Sequence, residues 1–155
     1  MTVTQDDHHQ TPVLEDHQDE KEKTRKPHLL SACVWAADTY KPRGNSDMDT
    51  EEVIISDTKQ RLIEWITFHL LVGFDHFYIY DNSGAYNNES SLADVASTFP
   101  PTKVTIINWP FQICNNNVPS HDNVGERSSQ YAAENSCLIR YRPFSEWLIH
   151  FDIDE

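Results

Sequence analysis

From residue 28 onward, short apolar runs alternate with longer periodic segments. Residues 29–36 (LLSACVWA) predict a buried strand, and a polar loop over 38–49 holding Pro42 and Gly44 follows. Leu62, Ile66 and Leu70 recur four apart with Ile63 and Leu71 beside them, which predicts a helix over 58–72 with one apolar stripe. Gly73 should stop that helix, since glycine tolerates a positive φ. Residues 74–80 (FDHFYIY) favour a second strand, ending in the turn signal Asp81-Asn82-Ser83-Gly84. A short helix over 91–99 stops at Pro100 and Pro101, and 103–109 (KVTIINW) reads as a third strand. After a loop with Asn115, Asn116, Asn117 and Pro119, the residues Ala133, Cys137, Leu138 and Tyr141 give a helical stripe within 126–142. The last strand is expected over 147–153.

Strand and helix alternating in this order predict a three-layer α/β sheet, mostly parallel, with right-handed crossovers. Ligands of such sheets sit beyond the carboxyl ends of the strands, so residues 36–38, 81–83 and 152–155 should surround one crevice. Residues 28–155 form one domain, shorter than a complete group-transfer enzyme usually requires. Residues 1–27 mix Asp, Glu, Gln, His and Lys with few large apolar side chains and are expected to be a disordered tail, with His8, His9 and His17 solvated.

The formal net charge of −13 argues against nucleic acid as a partner, because no basic stripe could offset phosphate repulsion. A nucleotide diphosphate remains compatible if a divalent cation stands between it and the protein. The three cysteines, Cys33, Cys114 and Cys137, have no zinc spacing. Their odd number allows at most one disulfide, and Cys33 and Cys137, lying in apolar segments, are expected to be buried and inert. No apolar run approaches the roughly 20 residues that span a bilayer, and the amino terminus is not a secretory signal. The chain as written is expected to be soluble, any membrane anchor lying outside it.

Asp152 and Asp154 stand one residue apart on the expected last strand, so a period of two points both carboxylates the same way, with Ile153 toward the sheet. Two hard oxygen donors there suit Mn or Mg, which neutralises a departing diphosphate. A solvated strand end is the alternative. Asp81 could accept a hydrogen bond from a ring N–H of uracil or guanine, or it could simply cap the turn with Asn82. Arg127, Gln130 and Asn135, toward the start of the last helix, could contact phosphate or sugar hydroxyls, or form a solvated helix face. Glu64 and His69 are expected to be solvated, and Arg140 and Arg142 to complement the helix's negative pole. Asn88-Glu89-Ser90 is a glycosylation acceptor sequence in an expected loop.

Taken together, residues 64–84 (EWITFHLLVGFDHFYIYDNSG), the INWP of 107–110 and residues 130–155 (QYAAENSCLIRYRPFSEWLIHFDIDE) resemble glycosyltransferase family 92. The resemblance covers residues 29–155 and implies the nucleotide-sugar-binding half of a Rossmann-like GT-A domain, truncated at its D-x-D motif. It further implies a UDP-sugar donor such as UDP-galactose, a glycan acceptor, a metal at Asp152 and Asp154, inversion at the anomeric carbon, and Asp81 and Asn82 at the donor. It also implies a membrane-anchored full-length protein of the Golgi or another endomembrane lumen, and a catalytic base beyond Glu155.

Two rival readings stand beside it. A haloacid-dehalogenase-like phosphatase also uses D-x-D, but on its opening strand, with the first aspartate as nucleophile. A non-catalytic module binding nucleotide sugar or glycan fits a chain that lacks a base.

Overall fold

The computed structural model describes residues 25–38, 50–85, 90–111 and 126–153. The expected tail before residue 25, the loop over 39–49, Asn88 and Glu89, Cys114 with the asparagine loop, Asp154 and Glu155 lie outside the described residues, as does the side chain of Arg127.

The first strand, β1 (His28–Ala36), runs parallel to β2 (His76–Asp81), which runs parallel to β3 (Val104–Asn108). The last strand, β4 (Ser145–His150), lies on the other side of β1, also parallel to it, so the sheet order is β3-β2-β1-β4. Helix α1 (Glu51–Leu71) joins β1 to β2, the short α2 (Ala93–Ser97) joins β2 to β3, and α3 (Glu126–Tyr141) joins β3 to β4. The chain steps outward from β1 twice and then reverses across it. Crossovers of one hand that step in opposite directions must cover opposite faces, and the two cores show this division. Ala32, Val34, Ala36, Phe77 and Ile79 pack with Leu62, Trp65, Ile66 and Val95 on the α1 and α2 side. Cys33, Tyr78 and Tyr80 pack with Ala133 and Cys137 on the α3 side. The α/β three-layer expectation holds, with every pairing parallel among the described strands.

The boundaries depart from the expectation in physical ways. α1 starts seven residues earlier than its stripe: the Thr50 hydroxyl accepts from the Val53 amide at 3.4 Å, and Glu51 and Glu52 sit at the positive pole. Its buried face is Thr58, Leu62, Trp65, Ile66 and His69, and Leu71, placed on the stripe from sequence, is 81% exposed. Gly73 ends the helix with φ +107°, a torsion that disfavours any side chain even though the space around it is open. His69 is buried rather than solvated: Nδ1 donates to the Trp65 carbonyl at 2.8 Å and the ring packs against Trp65, Phe74 and Phe151. Glu64 is exposed as expected and accepts from Gln60 at 2.8 Å.

On the other face, Leu138 is 44% exposed and does not belong to the α3 stripe, which is Ala133, Cys137 and Tyr141. Cys33 and Cys137 are buried as expected but are not separate thiols. They form a disulfide between β1 and α3, with Cα atoms 6.3 Å apart and a sequence separation of 104. The strand β4 stops at His150 instead of 153. Phe151 and Ile153 leave the ladder and pack on the α1 side of the core, Phe151 against Trp65 at 4.8 Å between ring centroids. Asp152 therefore lies past the strand, where strand alternation does not set its direction, although Ile153 does face the core.

Candidate functional site

All four strands point the same way, and the register sets Ala36, Asp81 and Asn108 side by side at their carboxyl ends. The direction of connection reverses between β1 and β4, which makes the gap beyond those two strands the switch point where open α/β sheets bind ligands. Asp38 follows β1 on one lip of this gap, and Asp152 follows β4 on the other.

Asp38 is 1% exposed. Its backbone amide donates to Ser83 Oγ at 2.9 Å, while its carboxylate oxygen Oδ1 is buried without a hydrogen-bond partner. Burial pushes the Asp38 carboxyl above the usual carboxylate range, with the nearby charges of Asp81 and Asp94 acting in the same sense, while a hydrogen bond from Ser83 and the charge of Lys59 oppose the rise. A desolvated acceptor with no donor suits a ligand that brings one.

Asp81 is buried and both its oxygens are engaged. Oδ1 accepts from the Ser83 amide at 3.1 Å, and Oδ2 accepts from the Ser91 hydroxyl at 2.9 Å and the Leu92 amide at 2.8 Å. These bonds tie the turn after β2 to the start of α2. Asn82 is 1% exposed, and its Nδ2 donates to the carbonyls of Trp109 and Phe111 and to Ser129 Oγ. Its Oδ1 is a second buried acceptor without a partner.

Gln130 Nε2 donates to Asp152 Oδ1 at 2.8 Å, and Asp152 is exposed. Asn135 is also exposed and lies five residues farther along α3, about 140° around the helix from Gln130 by the 3.6-residue turn. The structure thus brings Asp81, Asn82, Gln130 and Asp152 to the carboxyl ends of the strands and leaves Asn135 apart.

Three polar side chains of this region carry no mark in the sequence. Ser129 is fully buried, and its Oγ meets Asn82 Nδ2 at 3.2 Å and Trp109 Nε1 at 3.2 Å. A small polar residue in a helix carries no periodic signal, so only the contact reveals it. Trp35 Nε1 and His150 Nδ1 are buried without partners, on the α3 side of β1 and β4. Burial lowers the His150 pKa, opposed by the charge of Glu134, which favours the neutral ring. Among the described residues five buried side-chain polar atoms lack a partner, and four of them, on Trp35, Asp38, Asn82 and His150, belong to the last residues of β1 and β4 or to the turns after β1 and β2. The fifth, Trp65 Nε1, lies on α1.

The chemistry of the donor set suits a divalent cation in kind. Among the described residues no three His, Cys, Asp or Glu side chains converge. Mg or Mn, however, needs only one or two carboxylates, the rest of its shell being water and phosphate oxygen, and Asp152 offers a hydrogen-bonded, exposed carboxylate.

The family model of glycosyltransferase family 92 matches residues 54–155. A glycosyltransferase family 92 protein of Oryza sativa subsp. japonica is 30% identical over 96 residues, covering 61% of this chain and 13% of the relative. Another of Ricinus communis is 29% identical over 128 residues, covering 80% of this chain and 19% of the relative. The chain thus spans less than a fifth of the length of either. No solved structure matches it.

Proposed function

Since this chain belongs to glycosyltransferase family 92, we propose that its sheet is the nucleotide-sugar-binding part of a GT-A-type transferase, holding a UDP-sugar across the β1–β4 gap for transfer to a glycan. The observation that carries this reading is the concentration of unpartnered buried polar atoms at the carboxyl ends of β1, β2 and β4. Asp38 Oδ1 and Asn82 Oδ1 are acceptors, so they call for a ligand with N–H or O–H groups, as the base and ribose of a nucleoside have, and not for a phosphate. Asp81 supports this subsite by fixing the turn that carries Asn82 and Ser83. Trp35 Nε1 is a donor on the α3 side, suited to a sugar or phosphate oxygen.

In this reading Asp152, with Asp154, holds Mn or Mg beside the diphosphate, and Gln130 keeps the Asp152 carboxylate oriented. The cation, when bound, supplies charge neutralisation to the departing nucleotide diphosphate. Arg127 and Asn135 stay as candidates for phosphate or sugar contacts. Transfer with inversion, and galactose as the sugar, complete the proposal; the acceptor hydroxyl's proton goes to a carboxylate base, a role assigned to no described residue. The buried Cys33–Cys137 disulfide supports an oxidising compartment such as an endomembrane lumen. No helix among the described residues is long and apolar enough to cross a membrane.

The test is calorimetric titration of UDP into the chain with and without Mn(II). Binding that Mn(II) strengthens, with the strengthening lost in Asp152→Ala, is expected, and undiminished Mn(II)-dependent binding in Asp152→Ala refutes the metal role. Metal-dependent binding without sugar transfer would favour a binding module over an enzyme.

A further inference from the structure

The two helical layers are held to the sheet by different means. α1 buries Leu62, Trp65 and Ile66 in the larger core. α3 buries only Ala133 and Cys137 among its apolar residues, while Tyr131, Leu138 and Ile139 are exposed. Beyond them it relies on Tyr141 stacked on Tyr78 at 3.9 Å between ring centroids, a Tyr80–Ser136 hydroxyl bond of 3.1 Å, and the disulfide from Cys137 to Cys33 in the central strand. Gln130 precedes Cys137 by seven residues, close to two full turns, so both lie on one side of the helix. A covalent clamp at Cys137 therefore fixes both the rotation and the height at which Gln130 meets Asp152, and Ser129 meets Asn82.

We propose that Gln130 is a positioning residue for the Asp152 carboxylate and that the Cys33–Cys137 disulfide is the clamp that holds it in place, so that the site is completed only in the oxidised chain. Gln130's part rests on the donor-site reading above; the clamp does not. The amide donates to one carboxylate oxygen, as outer-shell partners of metal-ligating carboxylates do. Closure proceeds by thiol–disulfide exchange: a disulfide donor such as oxidised glutathione accepts the two electrons and both protons of the cysteines, and leaves as two thiols while the Cys33–Cys137 S–S bond forms.

The experiment has two arms on the same chain. Hydrogen exchange compares the oxidised chain with the reduced and alkylated chain, and with a Cys33→Ala/Cys137→Ala variant. The amides of α3 should exchange about 10-fold faster, relative to those of β1 and β2, once the disulfide is gone. An unchanged ratio, or Cys33 and Cys137 found as free thiols after oxidative folding, overturns the clamp. In the second arm, Gln130→Ala should weaken Mn(II)-dependent UDP binding by about 10-fold or more, with metal-independent UDP affinity and α3 exchange unaltered. Equal loss with and without metal, or no loss, overturns the positioning role. An oxidised wild-type chain that binds no UDP with Mn(II) sinks the donor-site reading and Gln130's role with it, while the exchange arm still decides the clamp.

Discussion

Asp38 and Ser83 meet across the carboxyl ends of β1 and β2, the Asp38 amide donating to Ser83 Oγ at 2.9 Å inside the protein. This contact holds a carboxylate where its charge is poorly solvated, and burial raises its pKa. A carboxyl whose folded pKa lies above its unfolded value binds its proton more tightly in the native state, so ionisation opposes folding. That cost is absent below the unfolded pKa of about 3.9, grows as pH rises toward the folded pKa, and is constant above it. Asp38→Asn should therefore raise the Tm at neutral pH, with the gain fading as pH falls through the acid range, and should weaken UDP binding. Thermal melts across pH together with UDP titration test this, and a variant less stable at neutral pH contradicts it.

Asp81 makes three hydrogen bonds with the turn after β2 and the start of α2. Asp81→Ala strands the buried amides of Ser83 and Leu92, which should cost about 2–6 kcal/mol in urea unfolding, since each unpaired buried group costs about 1–3 kcal/mol. A variant of wild-type stability that has lost UDP affinity would instead make Asp81 a direct ligand contact.

Removing the Ser129 hydroxyl leaves Trp109 Nε1 and Asn82 Nδ2 each with one acceptor fewer. Both keep others, the Ser129 carbonyl and the carbonyls of Trp109 and Phe111. The expected loss for Ser129→Ala is accordingly about 1 kcal/mol, the ordinary net value of a hydrogen bond. A loss above about 3 kcal/mol would show that the hydroxyl holds more of the crevice than these bonds explain.

The outer edge strand β4 presents Trp147, 68% exposed, and the exposed Ile149 beside backbone groups with no neighbouring strand in the described sheet. Edges of this kind template strand addition, and a charge on them discourages it. Trp147→Lys should lower the concentration-dependent association of the chain in light scattering, with its far-UV circular dichroism unchanged.

Much of this architecture was legible because its signals are local. The LLSACVWA and FYIY runs are strands buried on both faces and read as continuous apolar segments. Gly73 marked the helix end because its backbone needs the positive φ that it adopts. The early start of α1 was missed because its first turns are polar, although Thr50 followed by Glu51 and Glu52 is a capping signal that could have located it. The end of β4 was misplaced because Phe151 and Ile153 are apolar for a tertiary reason, contact with the α1 layer, and alternation alone cannot separate that from a strand. Asp38 was visible only as a residue on the rim of the crevice; the orphaned oxygen that distinguishes it is a fact of packing. Nothing in cysteine spacing could pair residues 104 apart, since the pairing depends on α3 crossing behind β1.

That pairing also turns most of the domain into a covalent ring. The ring closed at Cys33 and Cys137 contains α1, β2, α2, β3 and most of α3, whereas β4 and Asp152 hang from it as a tail. A protease cutting the backbone once anywhere between those cysteines would leave one covalently joined molecule, which separates into two pieces only when a reductant is added. A cut between Cys137 and β4 would leave the strand with Asp152 held only by its noncovalent pairing with β1. The strand that leads to Asp152 is thus attached, like the first residues of β1 ahead of Cys33, through a single peptide path.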